Sequence, residues 1–327
     1  MRLVKHPILC NYYVTYRCNA TCGFCDIWEK PSPYVTLAEA EKNFLSLKKL
    51  GVKVIDFTGG EPLLHREIDQ LLTLAKKHGF ITTLTTNCLL YPKWAKRLKG
   101  LVDMLHFSLD SHVKEDHDSW RGVACYDFVM ESIALAVSLG ERPDVLMTVF
   151  DHNLDQVELI RKNVTAPNDL VLILNPAFDY NDVESHSSNK SLHLKKLKTE
   201  GRKKGVYLNS AFVTLRQDGG NNIKKPVCKA GSTTLVITPE NKLSVPCYHL
   251  GTKEFSINGD LYELYYSPEV QKIIKLEGRL PECEGCVINC YMQPSFAVNV
   301  NKYWFKALPS TLKYNKLKGT WKHLSLR

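Results

Sequence analysis

Cysteine is the residue type in this sequence with the clearest capacity for chemistry. The chain has eleven cysteines in 327 residues. In a chain of this length, grouped cysteines are metal ligands or redox groups more often than disulfides, and an odd count agrees with that. Three lie apart and are predicted to be small buried residues. The first group is Cys18, Cys22 and Cys25, the second is Cys228, Cys247, Cys283, Cys286 and Cys290, and the isolated residues are Cys10, Cys88 and Cys125.

The first group has the spacing C-x3-C-x2-C and directly follows an apolar segment that is predicted to be a strand. Three thiolates so close in sequence can ligate three irons of a [4Fe–4S] cluster, which leaves the fourth iron for a non-protein ligand. A structural zinc ion usually has four protein ligands, and no further Cys or His lies nearby in sequence. The spacing favours an iron–sulfur cluster, and a structural metal site is the alternative.

Strand and helix patterns alternate up to about residue 205, and these elements must position the cysteines. Thr36 with Glu39 predicts a capping box at the start of the first helix, and Gly51 lies where that helix should end. Strands separated largely by helices predict a parallel α/β sheet, here an open, partial (β/α)6 barrel. In such barrels the chemistry lies at the carboxyl ends of the strands. The predicted strands are 8–16, 52–57, 81–86, 102–109, 145–150 and 170–174, and the clearest helices are 36–50, 68–77, 126–139 and 154–162.

The polar stretch 180–190 is predicted to be a linker, and a further helix is predicted at 192–204. The sequence pattern changes after this helix. Short strands at 234–238 and 243–245 predict a β-hairpin with a cysteine at either end. The sequence therefore predicts a core domain over 1–205, a small Cys-rich domain over 206–300 and a basic, aromatic tail over 301–327.

Four segments at successive strand ends, and a fifth beyond the fourth strand, together resemble the radical S-adenosylmethionine (radical SAM) superfamily. The signature of that family is C-x3-C-x-aromatic-C, as in 18–25. Segment 58–62 (TGGEP) is similar to the family's GGE motif, 107–110 (FSLD) ends the fourth strand, and 117–122 (HDSWRG) is similar to its HD-x-x-R-G stretch. The segment 85–88 (TTNC) matches a TNG ending in which Cys88 replaces the glycine.

The resemblance implies that the fourth iron chelates S-adenosylmethionine. It places Phe24 near the adenine, the GGE motif at the methionine amino group and the fourth strand end at the ribose. The cofactor-binding residues that it implies are Phe24, Gly59, Gly60, Glu61, Ser108, Asp110 and Arg121.

The second cysteine group resembles the SPASM/twitch extension of radical SAM enzymes, which carries auxiliary [4Fe–4S] clusters. The number of cysteines fits one auxiliary cluster, with Cys290 as a spare, an alternative ligand or the lone ligand of a second, incomplete cluster. A zinc ribbon is the alternative, because two cysteine pairs can form a closed tetrahedral site. The ligands that the resemblance implies are Cys228, Cys247, Cys283 and Cys286.

The implied activity is reductive cleavage of S-adenosylmethionine to a 5′-deoxyadenosyl radical, which takes hydrogen from a substrate. An electron donor such as ferredoxin or flavodoxin would start the reaction, and the auxiliary cluster would assist a net oxidation. The first strand begins at residue 8, which leaves no room for an N-terminal peptide-clasping domain, so we expect a small biosynthetic intermediate as the substrate. A maturase of a ribosomally made peptide is the alternative, and a non-enzymatic zinc metalloprotein is the alternative of another class. Polar residues near strand ends that could face a substrate are Asp56, His106, Asn175 and Tyr180.

Charge and hydropathy limit the partners and the location that can be expected for the protein. Lys and Arg outnumber Asp and Glu by 43 to 34, and segment 301–327 contains seven basic residues and no acidic one. Such a tail predicts either an anionic partner or membrane surface, or a segment that packs its aromatic rings on the body of the protein; nucleic acid is not expected. No apolar run is long enough to cross a bilayer and no signal peptide is evident, so the expected location is the cytoplasm.

Overall fold

One sheet of ten strands dominates the computed structural model, which describes residues 2–178, 190–249 and 253–319. The strands are β1 (Leu9–Thr15), β2 (Val54–Gly59), β3 (Ile81–Thr86), β4 (Met104–Ser108), β5 (Asp144–Val149), β6 (Val171–Pro176), β7 (Val206–Tyr207), β8 (Thr234–Ile237), β9 (Lys242–Val245) and β10 (Lys253–Ser256). Their order across the sheet is β10-β9-β8-β1-β2-β3-β4-β5-β6-β7.

Strands β1 to β6 are parallel neighbours in chain order, and helices connect them. This arrangement confirms the predicted α/β fold with a partial (β/α)6 barrel. The connecting helices are α1 (Leu37–Leu50), α2 (Ile68–Lys77), α3 (Tyr91–Leu98), α4 (Lys114–Arg121), α5 (Tyr126–Ser138), α6 (Gln156–Ile160) and, after β6, α7 (Lys190–Glu200). The predicted linker at 180–190 falls almost wholly outside the described residues.

Local sequence explains where α1 begins and ends. The Thr36 hydroxyl accepts from the Glu39 N–H at 3.2 Å, and the Glu39 carboxylate accepts from the Thr36 N–H at 3.0 Å, so the predicted capping box is confirmed. Gly51 ends the helix with φ 91°, a left-handed conformation that glycine adopts without steric cost.

Each barrel strand has one apolar and one more polar face. Side chains such as Ile55, Phe57, Leu84 and Phe107 are fully buried beneath the helices. The alternate positions, including Asp56 on β2 and His106 on β4, point into the barrel lumen and stay partly exposed. The lumen is therefore an open space lined with polar groups.

The C-terminal hairpin joins this same sheet. Strand β8 pairs with β1 in parallel, from Thr234 opposite Leu9 to Ile237 opposite Tyr12, and β9 returns antiparallel to β8. The Cys-rich region thus shares backbone hydrogen bonds with the barrel. The domain division near residue 205 stays a prediction.

The remaining helices surround the hairpin and close the chain. They are α8 (Ser210–Gln217), α9 (Ala230–Thr233), α10 (Leu261–Tyr266), α11 (Pro268–Ile274), α12 (Asn289–Val298) and α13 (Lys302–Lys318). In the described ranges no helix has the length and hydropathy needed to cross a bilayer.

Helix α13 covers most of the predicted basic tail. It buries Tyr303 and Ala307 against the body, as expected for a packed segment. Lys302 pairs with Asp218 at 2.7 Å, and Lys313 donates to the carbonyl oxygens of Gly201 and Lys203 at 2.9 and 2.8 Å. Residues 320–327 lie outside the described part of the chain, and an anionic partner for the tail stays a prediction.

Candidate functional site

The first cysteine group occupies the loop that follows the carboxyl end of β1. Burial is the main reason that the pKa of the Cys18 thiol rises to about 12, and the neighbouring Cys22 and Cys25 raise it further. The three thiols are thus close enough to repel one another as thiolates. A positive charge or a metal must stabilise them when they ionise.

Helix α4 holds this loop through backbone contacts. The N–H groups of Thr21 and Gly23 donate to the carbonyl oxygens of Arg121 and Trp120 at 3.1 and 3.3 Å. Gly122 ends α4 with φ 64°, and a Cβ there would stand 2.2 Å from the Thr21 hydroxyl oxygen. Glycine is needed at this position because the cysteine loop touches the helix end.

Arg121 brings a positive charge to the loop. Its guanidinium lies 2.6 Å from the Asp110 carboxylate and 5.3 Å from the centre of the Phe24 ring. Arg121 also hydrogen-bonds the Cys22 thiol and opposes the rise in its pKa that burial causes. This residue of the HD-x-x-R-G stretch therefore favours the thiolate form of a cysteine.

The GGE segment lies against the same loop. A Cβ on Gly60 would stand 2.2 Å from the Arg17 carbonyl oxygen, and one on Gly59 would stand 1.9 Å from that of Thr15. Both glycines are required because the end of β2 runs in direct contact with the end of β1.

Glu61 is fixed by three donors: the Leu63 N–H at 3.0 Å, the Asn87 N–H at 2.9 Å and the Thr86 hydroxyl at 2.9 Å. Burial raises its pKa to about 7, and these hydrogen bonds oppose the rise. Sequence reasoning missed Thr86, whose side chain joins the ends of β2 and β3.

Asn87 and Cys88 follow β3 in a turn whose second residue has a backbone conformation that favours glycine. Cys88 has φ 71°, so it adopts the left-handed conformation that the family pattern assigns to glycine. The Asn87 amide donates to Asn19 in the cysteine loop at 2.8 Å. The third strand end therefore also reaches the loop.

Asp110 is more deeply buried than a residue that contacts the ribose of the cofactor needs to be. Its side chain is fully buried, accepts from the Thr148 N–H at 2.8 Å and pairs with Arg121. Ser108 is buried as well. Phe24 packs against Phe150 with ring centres 5.3 Å apart. Contacts of these residues with a cofactor stay predictions.

The second cysteine group assembles around the open end of the β8–β9 hairpin. Cys228, Cys247 and Cys286 pack in one buried cluster. Charge on Cys247 and Cys283 contributes to raising the pKa of the Cys286 thiol. Burial is the main cause of the raised pKa of Cys286, about 12. In the described part of the chain, no three His, Cys, Asp or Glu side chains converge on a position for a single metal ion.

Asn221 organises the auxiliary cysteines, and sequence reasoning did not identify it. Its side-chain oxygen accepts from the N–H groups of Val227 and Cys228 at 2.9 and 3.2 Å. Its amide donates to the carbonyl oxygens of Gly278 and Cys283 at 2.8 and 3.0 Å. One buried amide thus binds two cysteine-bearing segments that lie far apart in sequence.

Cys290 stays a predicted ligand of the second group, and its surroundings differ from those of the other four cysteines. The residue is exposed at the surface of the lumen. The surrounding walls nevertheless desolvate its thiol and raise its pKa to about 11, and the Asp56 carboxylate inside the barrel adds to the rise. The preceding Asn289 donates to Asn175 on β6 at 2.6 Å. Cys290 therefore faces the lumen, with Asp56, His106 and Asn175, whereas Tyr180 lies outside the described residues.

The donor atoms fit the implied groups. The first site offers three thiols beside a cation, and the second offers four thiols, an all-sulfur set of the kind that iron–sulfur clusters take. Cys18 follows the carboxyl end of β1, and the open end of the hairpin is level with Leu9 at the start of that strand. Tyr248, next to Cys247, reaches along β1 and stacks on Tyr13 with ring centres 4.8 Å apart.

The family described as Radical SAM superfamily matches residues 12–163. The antilisterial bacteriocin subtilosin biosynthesis protein AlbA of Bacillus subtilis is 27% identical over 95% of this chain and 72% of its own length. A probable GTP 3′,8-cyclase of Sulfurisphaera tokodaii is 29% identical over 75% of this chain and 82% of its own length. In fold, the chain is similar to anSMEcpe solved with bound AdoMet and Cp18Cys peptide, with TM-score 0.63 and 18% identity over 97% of this chain and 100% of that one.

Proposed function

The chain is a radical SAM enzyme, and on that premise we propose that it oxidises a residue of a peptide substrate held in the barrel lumen. The observation that carries this proposal is that β1 borders the lumen, with the first cysteine group following its carboxyl end and the hairpin of the second group paired along it. A substrate there would lie near the cofactor and near an electron acceptor.

Each thiol site has a separate task in this proposal. Cys18, Cys22 and Cys25 would hold the [4Fe–4S] cluster that binds S-adenosylmethionine, and the bound pair supplies a radical that removes hydrogen from carbon. Arg121 stabilises the thiolates of the loop, and Glu61 accepts hydrogen bonds beside it. Cys228, Cys247, Cys283 and Cys286 would hold the auxiliary cluster, which would accept the electron that the substrate radical gives up as it loses a proton.

The comparisons favour a peptide over the small intermediate that we expected from the sequence. The name of AlbA assigns that relative to bacteriocin biosynthesis, and anSMEcpe has been solved with a peptide bound. The latter protein is matched over its whole length, so a peptide can enter this fold without an additional peptide-clasping domain.

A nucleotide is the second candidate substrate, because the similar GTP 3′,8-cyclase is matched over 82% of its length. The side chains that line the lumen favour a nucleotide less than a peptide. Among the described residues, Asp56 has no cationic partner, and a carboxylate there would repel a triphosphate.

Anaerobic reconstitution followed by two assays tests the proposal. About eight irons per chain, with 5′-deoxyadenosine released after addition of dithionite and S-adenosylmethionine, is the expected result. Incubation with a synthetic peptide library, with GTP as the comparison, should then yield peptides that have lost two hydrogens. The Cys283→Ala/Cys286→Ala variant should still cleave the cofactor but form no oxidised peptide. Consumption of GTP with unchanged peptides would reject the peptide proposal.

A further inference from the structure

The lumen contains one carboxylate without a counter-charge. Asp56 lies on β2, three residues before the GGE segment, and accepts a hydrogen bond from the Thr83 hydroxyl on the neighbouring strand. Burial raises the pKa of Asp56, opposed by Thr83 and by the nearby His106. Among the described residues no Lys or Arg pairs with this carboxylate.

The other acidic group near the lumen differs from Asp56 in this respect. Asp144, at the start of β5, pairs with Lys318 at 2.9 Å and accepts from the Tyr314 hydroxyl, both on α13. His106 lies between the two acids, 3.7 Å from Asp144, and its Nδ1 lies 3.2 Å from the Thr85 hydroxyl. Burial lowers the pKa of His106, and the Asp144 and Asp56 carboxylates oppose that shift.

The remaining described groups around Asp56 supply no cation that pairs with it. Thr83 and Asn175 are neutral, and the Cys290 thiol, with its raised pKa, stays protonated at neutral pH. Arg216, the cation next to Asn289, donates instead to the carbonyl oxygens of Pro176 and Ala177 at 3.1 and 3.2 Å. A partly desolvated carboxylate in such surroundings is stabilised by a cation that enters the lumen.

We propose that the floor of the lumen is a recognition site for a cationic group of the substrate, an ammonium or guanidinium, which pairs with the Asp56 carboxylate. The inference rests on the proposed function, since it places the substrate in the lumen. It narrows the substrate class to peptides that present a lysine or arginine side chain, or a terminal amine, beside the residue to be modified.

Cys290 allows a test that needs no known substrate. In the cluster-loaded enzyme the proposed ligand cysteines are bound to iron, and the other three cysteines are at most 1% exposed. Cys290 is then the accessible thiol of the described chain, and it faces Asp56. Two methanethiosulfonate reagents with the same reactive group, one carrying a trimethylammonium and the other a sulfonate, would measure the lumen charge at pH 8. Their rates are normalised to those with free 2-mercaptoethanol, and Cys290→Ala gives the background.

The cationic reagent should label Cys290 at least about tenfold faster than the anionic one, because one nearby charge in a partly desolvated site changes the local concentration by such factors. Asp56→Asn should reduce this ratio at least about fivefold. Asp127→Asn, which removes an equal charge from an exposed helix position, should leave it unchanged.

Equal rates in the wild-type enzyme, or a ratio that Asp56→Asn does not change, would overturn the proposal. So would a Cys290 that resists both reagents while Cys290→Ala loses iron, since the thiol would then be a cluster ligand. Iron content and 5′-deoxyadenosine formation, measured on the same preparations, report separately on the proposed function.

Discussion

Lys318 in the last turn of α13 and Asp144 at the first position of β5 form an ion pair of 2.9 Å. Their side chains are 9% and 0% exposed, so the pair is largely removed from water. Through it, the last described helix is joined to the barrel, beside the lumen residue His106.

Replacing Lys318 by methionine should lower the free energy of unfolding by about 3 kcal/mol, because the change leaves the buried Asp144 carboxylate without its cation. Urea denaturation of the apoprotein measures the loss. Lys316→Met, an exposed change two residues earlier, should cost less than about 0.5 kcal/mol. Equal losses in the two variants would mean that the ion pair contributes nothing specific.

Gly60→Ala should destabilise the apoprotein by at least about 2 kcal/mol, since the new methyl group would overlap the backbone carbonyls of the cysteine loop. Gly23→Ala is the matched control in that loop, because a Cβ there meets no atom within 4 Å. Denaturant midpoints of the two variants give the comparison. If both glycines tolerated alanine, the close contact of the strand ends would be wrong.

Glu61→Gln should change the pH dependence of stability. The folded-state pKa of about 7 lies above the ordinary 4.5, so the native state binds the proton more tightly than the unfolded state. The stability from this protonation is complete below pH 4.5 and is lost as the pH rises through 7. Wild-type stability relative to Glu61→Gln should therefore fall by about 3 kcal/mol between pH 4.5 and 8. Unfolding curves across that range test it, and a constant difference would contradict the raised pKa.

Replacing Cys18, Cys22 and Cys25 by alanine should abolish formation of 5′-deoxyadenosine and remove about four irons per chain. The reason is that the first cluster loses its thiolates. Cys10→Ala, a buried change away from both groups, is the control and should keep cofactor cleavage. Cleavage that persisted in the triple variant would contradict the assignment of this cluster.

Replacing Cys283 and Cys286 by alanine should lower the iron content by about four while cofactor cleavage continues. Both thiols belong to the second site and are not among the three thiols of the cysteine loop. Iron analysis and the 5′-deoxyadenosine assay on one preparation separate the two effects. A simultaneous loss of cleavage would indicate that the two sites fold as one unit.

Local patterns were sufficient to predict many of the elements. Helix α2 (Ile68–Lys77) and strand β3 (Ile81–Thr86) have the predicted bounds, because hydrophobic periodicity and flanking glycines define both. The short motifs also lie where we expected them, at successive carboxyl ends of parallel strands. Their glycines and cysteines are required by contacts between neighbours in the sheet.

Contacts between polar residues far apart in sequence could not be predicted. Nothing near Asp110 indicates that its carboxylate pairs with Arg121, or that Asn221 binds two cysteine segments. Such pairings leave no periodic pattern, since a single polar residue satisfies them. The same is true of the influence of Asp56 on Cys290, which the spacing of the second cysteine group does not indicate.

The pairing of β8 with β1 determines how far apart the two thiol sites are. Strand β1 has hydrogen-bonded neighbours on both sides and is about 20 Å long. No hinge motion can change that spacing without breaking several backbone hydrogen bonds of the sheet. The position of the hairpin relative to the cysteine loop is therefore a constant of the fold. Binding and release can reshape loops and side chains, but the strands that carry the two thiol sites keep their separation.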